Sequence, residues 1–381
     1  RRAKYGLISV VIHEIGHIYF PMTVNSDERQ WTWMDEGLNT FLQFLSEREW
    51  EDDYPSRRGD PKNIVDYMLS ENQVPIMTNS ESILQFGNNA YAKPATALVV
   101  LRETVMGRAL FDFAFKQYSE RWMFKRPTPS DFFRTLEDAS AVDLDWFFRG
   151  WFYSTDHVDI ALNDVREYKV STQDPEIEFP LDSEEADEDP ESLTQVRNED
   201  IETRVERYPE LNDFYNENDE FTVSNKDRND YTSFTEGLED WEKEVLDKAI
   251  ADGSLIYFLD FENIGGLVMP IPLQIDYVDG SSESKMIPAE IWRYDSHSVT
   301  HTLITTKEIA SVEVDPSQQI ADADTANNKL PREIQRSRIE LYKSDNKQRD
   351  LMADMLVDLK SDETGDAPEG SADLPLEASE D

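Results

Sequence analysis

Apolar residues recur with spacings of three and four from Gly6 to Tyr19, at Leu7, Val10, Val11, Ile15 and Ile18, which predicts a helix across the start of the chain. A polar, turn-like stretch follows from Thr23 to Gln30. A second amphipathic helix then reads from about Asp35 through Leu38, Phe41, Leu42 and Leu45. A third begins near Pro94, whose missing N–H suits a first-turn position, and carries Ala97, Leu98, Leu101 and Val105, with Tyr91 just before it. Thr128-Pro129-Ser130-Asp131 has the form of a capping box leading into Phe132, Phe133 and Leu136. Asp143 is placed to cap a last helix bearing Leu144, Trp146, Phe147 and Trp151. To about residue 160 the chain reads as helical.

The pattern changes near residue 172. Asp182 to Glu191 holds seven acidic residues in ten, a density that opposes compact packing and predicts a linker or a solvated excursion. Aromatics return between Leu211 and Ile250 (Phe214, Tyr215, Phe221, Tyr231, Phe234, Trp241), which predicts that this part packs on something, with a helix from Trp241 to Ile250. From Ser254 to Val314 short β-rich runs (LIYFLDF, MPIPLQIDYV, IWRY, HTLITT, IASVEV) are split by the turn signals Gly265-Gly266 and Asp279-Gly280-Ser281, predicting a small β-sandwich. The tail past Asp362 is almost wholly small and acidic, which predicts disorder. The expected fold class is multidomain α plus β. A helical subdomain spans 1–165, an acidic linker with a packed helical part spans 166–250, a β-sandwich-like domain spans 251–330, and an extension with the acidic tail spans 331–381.

At 44.2 kDa, with 39% hydrophobic and 11% aromatic residues, the chain has ample material for more than one core. Its formal charge of -43 argues against nucleic-acid binding, since a phosphate backbone repels such a surface. The charge is unevenly placed: residues 1–165 carry 17 Lys+Arg against 25 Asp+Glu, and residues 166–381 carry 20 against 55. No cysteine is present, so any metal must be held by histidine and carboxylate. No apolar run reaches the roughly 18 residues of a membrane span. The start, Arg1-Arg2-Ala3-Lys4, has neither an initiator Met nor a signal-peptide layout, so the chain reads as the C-terminal part of a longer polypeptide.

Only five histidines occur, and two of them, His13 and His17, stand one helical turn apart in HEIGH. On a helix they share a face and can direct ring nitrogens at one point. A hydrolytic zinc takes three protein ligands and keeps one position for water, so a third donor is required. Glu14 is turned about 100° from His13 and instead reaches the water as general base. Glu36, in Trp33-Met34-Asp35-Glu36-Gly37-Leu38, heads the next helix with 18 residues between it and His17, and can complete a two-His, one-carboxylate site for one zinc per chain. A first-turn acid also suits a helix N-terminus on its own account. Asp35 reads as a helix cap or as a group orienting a ligand, and Trp31 and Trp33 read as core. His157 reads as a surface group. His297 and His301 share the four-residue spacing, but in a β-rich stretch that spacing does not bring them together.

HEIGH, the 18-residue gap and WMDEGL resemble the HEXXH-x18-E signature of the aminopeptidase N family of zinc metallopeptidases, the gluzincins. The resemblance covers roughly residues 1–160, with PTPSDFFRTLEDASAVDLDWFFRGWFY similar to the end of the family's catalytic subdomain. It implies a thermolysin-like helical subdomain, His13, His17 and Glu36 as zinc ligands, and Glu14 as the residue that activates water. Asn89-Ala90-Tyr91-Ala92-Lys93-Pro94 matches the family's Tyr-Glu-Lys-Gly-like segment, which implies that Tyr91 stabilises the oxyanion; Ala92 and Pro94 depart from the family's Glu and Gly. Ile18-Tyr19-Phe20-Pro21-Met22 also departs from the usual Gln-Trp-Phe-Gly-Asn and points to a different pocket floor. The family's Gly-x-Met-Glu-Asn strand, which binds a substrate's free amino group, belongs upstream of Arg1, together with an N-terminal β-domain and the catalytic sheet. The expected function is zinc-dependent hydrolysis of peptide or protein substrates, foremost as an aminopeptidase. An endopeptidase or an epoxide-type hydrolase on the same site, and a non-catalytic scaffold that keeps the fold, stand as alternatives. Compartment is left open, with export to the periplasm or outside favoured over the cytoplasm.

Overall fold

The structure, a computed structural model, describes residues 2–188, 190–333, 352 and 355. Its first part is helical: α1 (Arg2–Gly16), α2 (Glu36–Trp50), α3 (Val65–Met68), α4 (Lys93–Val100), α5 (Arg108–Trp122), α6 (Pro129–Ser140) and α7 (Asp145–Phe148). Asp131 reaches back to the Thr128 N–H at 2.8 Å, so the expected capping box starts α6 with Pro129 in its first turn. The Asp143 carboxylate accepts from the Asp145 N–H at the head of α7. Tyr91 does not precede a helix. It lies in a wide π-helical segment, Gly87–Ala92, that runs without a break into α4, whose first turn holds Pro94.

Aromatic side chains build this lobe. Trp33 is fully buried, stacked on Phe133 at 5.9 Å between centroids and edge-on to Phe152 at 4.8 Å. Trp31 lies at the edge of the same core. By contrast the outer side of α1 is bare: Leu7, Val10, Val11 and Ile15 are all exposed.

Strand β1 (Ile160–Lys169) follows, then six short helices: α8 (Pro175–Glu188), α9 (Leu193–Asn198), α10 (Arg204–Arg207), α11 (Phe214–Glu217), α12 (Asn225–Gly237) and α13 (Asp240–Asp252). The remaining strands are β2 (Leu255–Asn263), β3 (Ile271–Tyr277), β4 (Ser282–Ile287), β5 (Ser298–Thr305), β6 (Ile309–Val314) and β7 (Lys329–Leu330). They form two antiparallel sheets, ordered β1-β2-β5 and β4-β3-β6-β7. Alternating residues such as Leu259, Phe261, Leu273, Ile275, Val312 and Val314 bury into one core continuous with the helical lobe. Trp151 contributes to the junction with its indole N–H 3.4 Å from Met269 Sδ. No described helix is long and apolar enough to cross a membrane.

Several expectations need correction. The sheet begins at Ile160, ahead of the break expected at 165, because β1 pairs with β2 from Ile160↔Asn263 to Lys169↔Leu255. Residues 170–254 are thus a long excursion within one hairpin. Most of the acidic run lies in α8, and the aromatics expected to pack are largely exposed, Tyr215 at 82% and Trp241 at 61%. The helix expected from Trp241 to Ile250 is α13. IWRY forms a 3-10 turn, Ala289–Arg293, started by Pro288, and SESKMI, unremarked in sequence, is strand β4. The acidic tail lies outside the described residues.

Candidate metal centre

HEIGH closes α1, with His17 N–H still bonded to the His13 carbonyl at 3.3 Å, so both imidazoles leave one face. Two close approaches bring α2 and the Tyr91 segment against that face. A Cβ on Gly16 would stand 1.9 Å from Asn39 Oδ1, and the Asn39 amide donates to the His13 carbonyl at 2.8 Å. A Cβ on Gly37 would stand 2.6 Å from Pro94 Cγ and 3.1 Å from the Ala90 carbonyl. Both glycines thus set interhelical distances, and the second lets Tyr91 approach Glu36.

The ligand atoms of His13, His17 and Glu36 all lie within 4.8 Å of one another. His13 Nε2 is 3.0 Å and His17 Nε2 3.6 Å from Glu36 Oε2, and the rings meet edge-on with centroids 4.7 Å apart. Two donors tetrahedrally bound to zinc at its usual bond lengths lie about 3.3 Å apart, so the observed spacings fit that ion. The opposite ring nitrogens are occupied. His13 Nδ1 donates to Gln43 Oε1 at 2.9 Å, and the Gln43 amide donates to Glu47 Oε1 at 2.7 Å, which fixes the orientation of the amide. His17 Nδ1 donates to the Phe20 carbonyl at 2.9 Å, which turns back because Phe20 leaves the helical conformation. With both Nδ1 atoms committed as donors, it is Nε2 of each ring that can lose its proton and turn its lone pair to a cation.

Charge is balanced tightly. Burial opposes ionisation of Glu36, yet hydrogen bonds from His13 and then Tyr91 hold its carboxyl below the usual range. Burial likewise opposes protonation of His13, but its bonds to Glu36 and Gln43 raise it. Asp35 is pushed up to about 7 by burial and by the Glu36 charge, with His17 acting against this. It does not cap α2 through its side chain, because the 3-10 turn Thr32–Met34 leads straight into that helix. Its Oδ1 lies 3.0 Å from His17 Nδ1, a charge contact with no hydrogen bond to that oxygen. Glu14 is exposed and is not one of the three converging donors.

Tyr91 stacks on His13 with centroids 5.7 Å apart, and burial followed by the Glu36 contact raises its phenol well above the ordinary value. His301 sits on β5 and His297 just before it. Sequence reasoning overlooked Asn39, Gln43 and Glu47, although with Glu36 they form a polar stripe spaced three, four and four along α2. Asn39 and Glu47 are buried, an unusual load for a helix face without function. A second acidic group, Glu137, Asp143 and Asp145, is largely exposed.

Residues 2–151 match the peptidase family M1 domain. Human glutamyl aminopeptidase is 25% identical over 174 residues, covering 42% of this chain and 17% of its own length. Probable aminopeptidase 1 of Sulfurisphaera tokodaii is 24% identical over 171 residues, covering 42% and 21%. The chain therefore spans about a fifth of such relatives. Among solved structures, Legionella pneumophila aminopeptidase A in complex with aspartic acid aligns at 14% identity with a TM-score of 0.44, over 82% of this chain and 26% of that one. The matched stretch, residues 2–151, is the part of the chain in which HEIGH and WMDEGL both fall, and over it the chain is similar to the M1 peptidases.

Proposed function

We propose that the chain carries the metal-binding half of a zinc aminopeptidase, with His13 Nε2, His17 Nε2 and Glu36 as the protein ligands. The observation that carries this reading is the convergence of those three donors, with each imidazole's other nitrogen held by Gln43 or Phe20. Zinc bound there would polarise the scissile carbonyl and acidify a water molecule. Glu14, one step round the helix and in solvent reach, takes the proton from the attacking water and passes it to the departing amine. Tyr91, kept protonated by its surroundings, donates a hydrogen bond to the carbonyl oxygen as negative charge develops there. We read residues 2–153 as the thermolysin-like catalytic subdomain and the two sheets as the small β-sandwich that follows it, the acidic segment being an excursion from that sandwich.

In the full-length polypeptide, Glu14→Gln should lower turnover of an alanyl-anilide by about 10²- to 10⁴-fold while zinc, by elemental analysis, stays near one per chain. Equal turnover in both proteins, or a zinc content near zero in the folded wild type, would sink the proposal.

A further inference from the structure

Arg58 stands in the loop between α2 and α3, with its guanidinium carbon 4.4 Å from the centroid of the Tyr91 ring. It is half-buried, and among the described residues no hydrogen bond or ion pair reaches it. Other arginines without such a partner among the described residues, Arg57 and Arg134 for example, are exposed, whereas Arg58 is half-buried. Arg48 and Arg102 each find a carboxylate at 2.7 Å. Taking a charge out of water without a counter-ion is unfavourable, and the face of one phenol returns only part of that cost. The nearby carboxylates are already engaged, Glu36 by His13 and Glu47 by Gln43. Burial lowers the Arg58 pKa, with Tyr91 acting against it and Arg57 adding to it. A guanidinium starts so high that it stays charged. Gly87 beside it carries no side chain: a Cβ there would come within 3.6 Å of Arg58 Nη2, so that flank is left open.

We propose that Arg58 is a substrate subsite for a carboxylate, either the side chain of an acidic N-terminal residue or the C-terminal carboxylate of a short peptide. The fork of N–H donors suits such a group bidentately. Its position against Tyr91 places it beside the scissile bond rather than on it, so its contribution is to selection. The proposal rests on the peptidase reading above and sharpens it.

The test uses the zinc-loaded full-length polypeptide, wild type, Arg58→Gln and Arg58→Lys. Rates are compared for glutamyl- and aspartyl-anilides against alanyl-anilide, and for dialanine against its amide. Arg58→Gln should lower kcat/KM for one carboxylate-bearing class by about 10- to 100-fold, mainly through KM, and leave its neutral counterpart within about threefold. Arg58→Lys should restore part of the loss. The pair that responds identifies which carboxylate is read. In parallel, calorimetric titration with succinate, with its diamide as control, should show binding that Arg58→Gln removes. Equal slowing on neutral and anionic substrates would mean that Arg58 merely props Tyr91, and would overturn the proposal, as would succinate binding that survives Arg58→Gln. Arg58-dependent succinate binding in a protein that cleaves none of these peptides would uphold the subsite and reject the peptidase reading instead.

Discussion

The helical lobe, residues 2–153, and the acidic excursion, residues 170–254, are both rich in aromatic side chains, yet treat them oppositely. Trp33, Phe132, Phe147 and Trp151 are fully buried, whereas Phe214, Tyr215 and Trp241 stand mostly in solvent. The lobe brings its aromatics in adjacent pairs at helical spacing, Phe132-Phe133, Phe147-Phe148 and Trp151-Phe152, so each helix presents a wide apolar stripe to its neighbours. In the excursion Phe214, Phe221, Tyr231 and Trp241 each follow an acidic residue, and short helices such as α10 and α11 end within four residues, before a stripe can form. Like charges then oppose the collapse that a few rings would favour.

The contrast can be broken by paired substitutions. Trp33→Ala should destabilise the protein by about 3–5 kcal/mol, and Trp241→Ala by no more than about 0.5 kcal/mol, in urea unfolding followed by circular dichroism. Comparable losses at the two tryptophans would show that the excursion packs after all. Within the lobe, Gln43→Ala should weaken zinc binding by about 10- to 100-fold in a chelator competition, because His13 loses the partner that fixes its tautomer and Glu47 loses its donor. An unchanged affinity would make the α2 polar stripe a packing feature. The smallest effect belongs to deletion of residues 170–254 with a short turn joining Lys169 to Leu255. Those two residues are already paired across the hairpin, so zinc content and anilide turnover should stay within about twofold of the parent. Loss of the metal on deletion would tie the excursion to the centre.

The convergence of His13, His17 and Glu36 was legible because its geometry is mostly local: two histidines one turn apart, and a carboxylate opening the next helix. The partners that orient them were legible in principle, as the Glu36, Asn39, Gln43, Glu47 stripe, but polar residues on a helix read first as a solvated face. Arg58 was not legible, since it sits in an aperiodic loop 22 residues beyond Glu36 and meets Tyr91 only through the fold. β1 escaped notice because only Ile160, Ala161 and Leu162 are buried and its outer half is polar. β4 escaped because five of its six side chains are at least partly open to solvent, the mark of an edge strand rather than a central one. The excursion was misjudged by weighing aromatic content above charge density.

Two of the three donors ride on α1, a helix whose far side is open, and the third rides on α2. The geometry of the centre is therefore set largely by the register between two rods, with the break at Phe20 turning the His17 ring. A slip of α1 by one residue would rotate both imidazoles away together through about 100° and shift them about 1.5 Å along the axis. What holds the register is a tongue and a notch: the Asn39 amide reaching the His13 carbonyl through the space that Gly16 leaves empty. The glycine of HEIGH, silent in any ligand count, thereby fixes where the two histidines point.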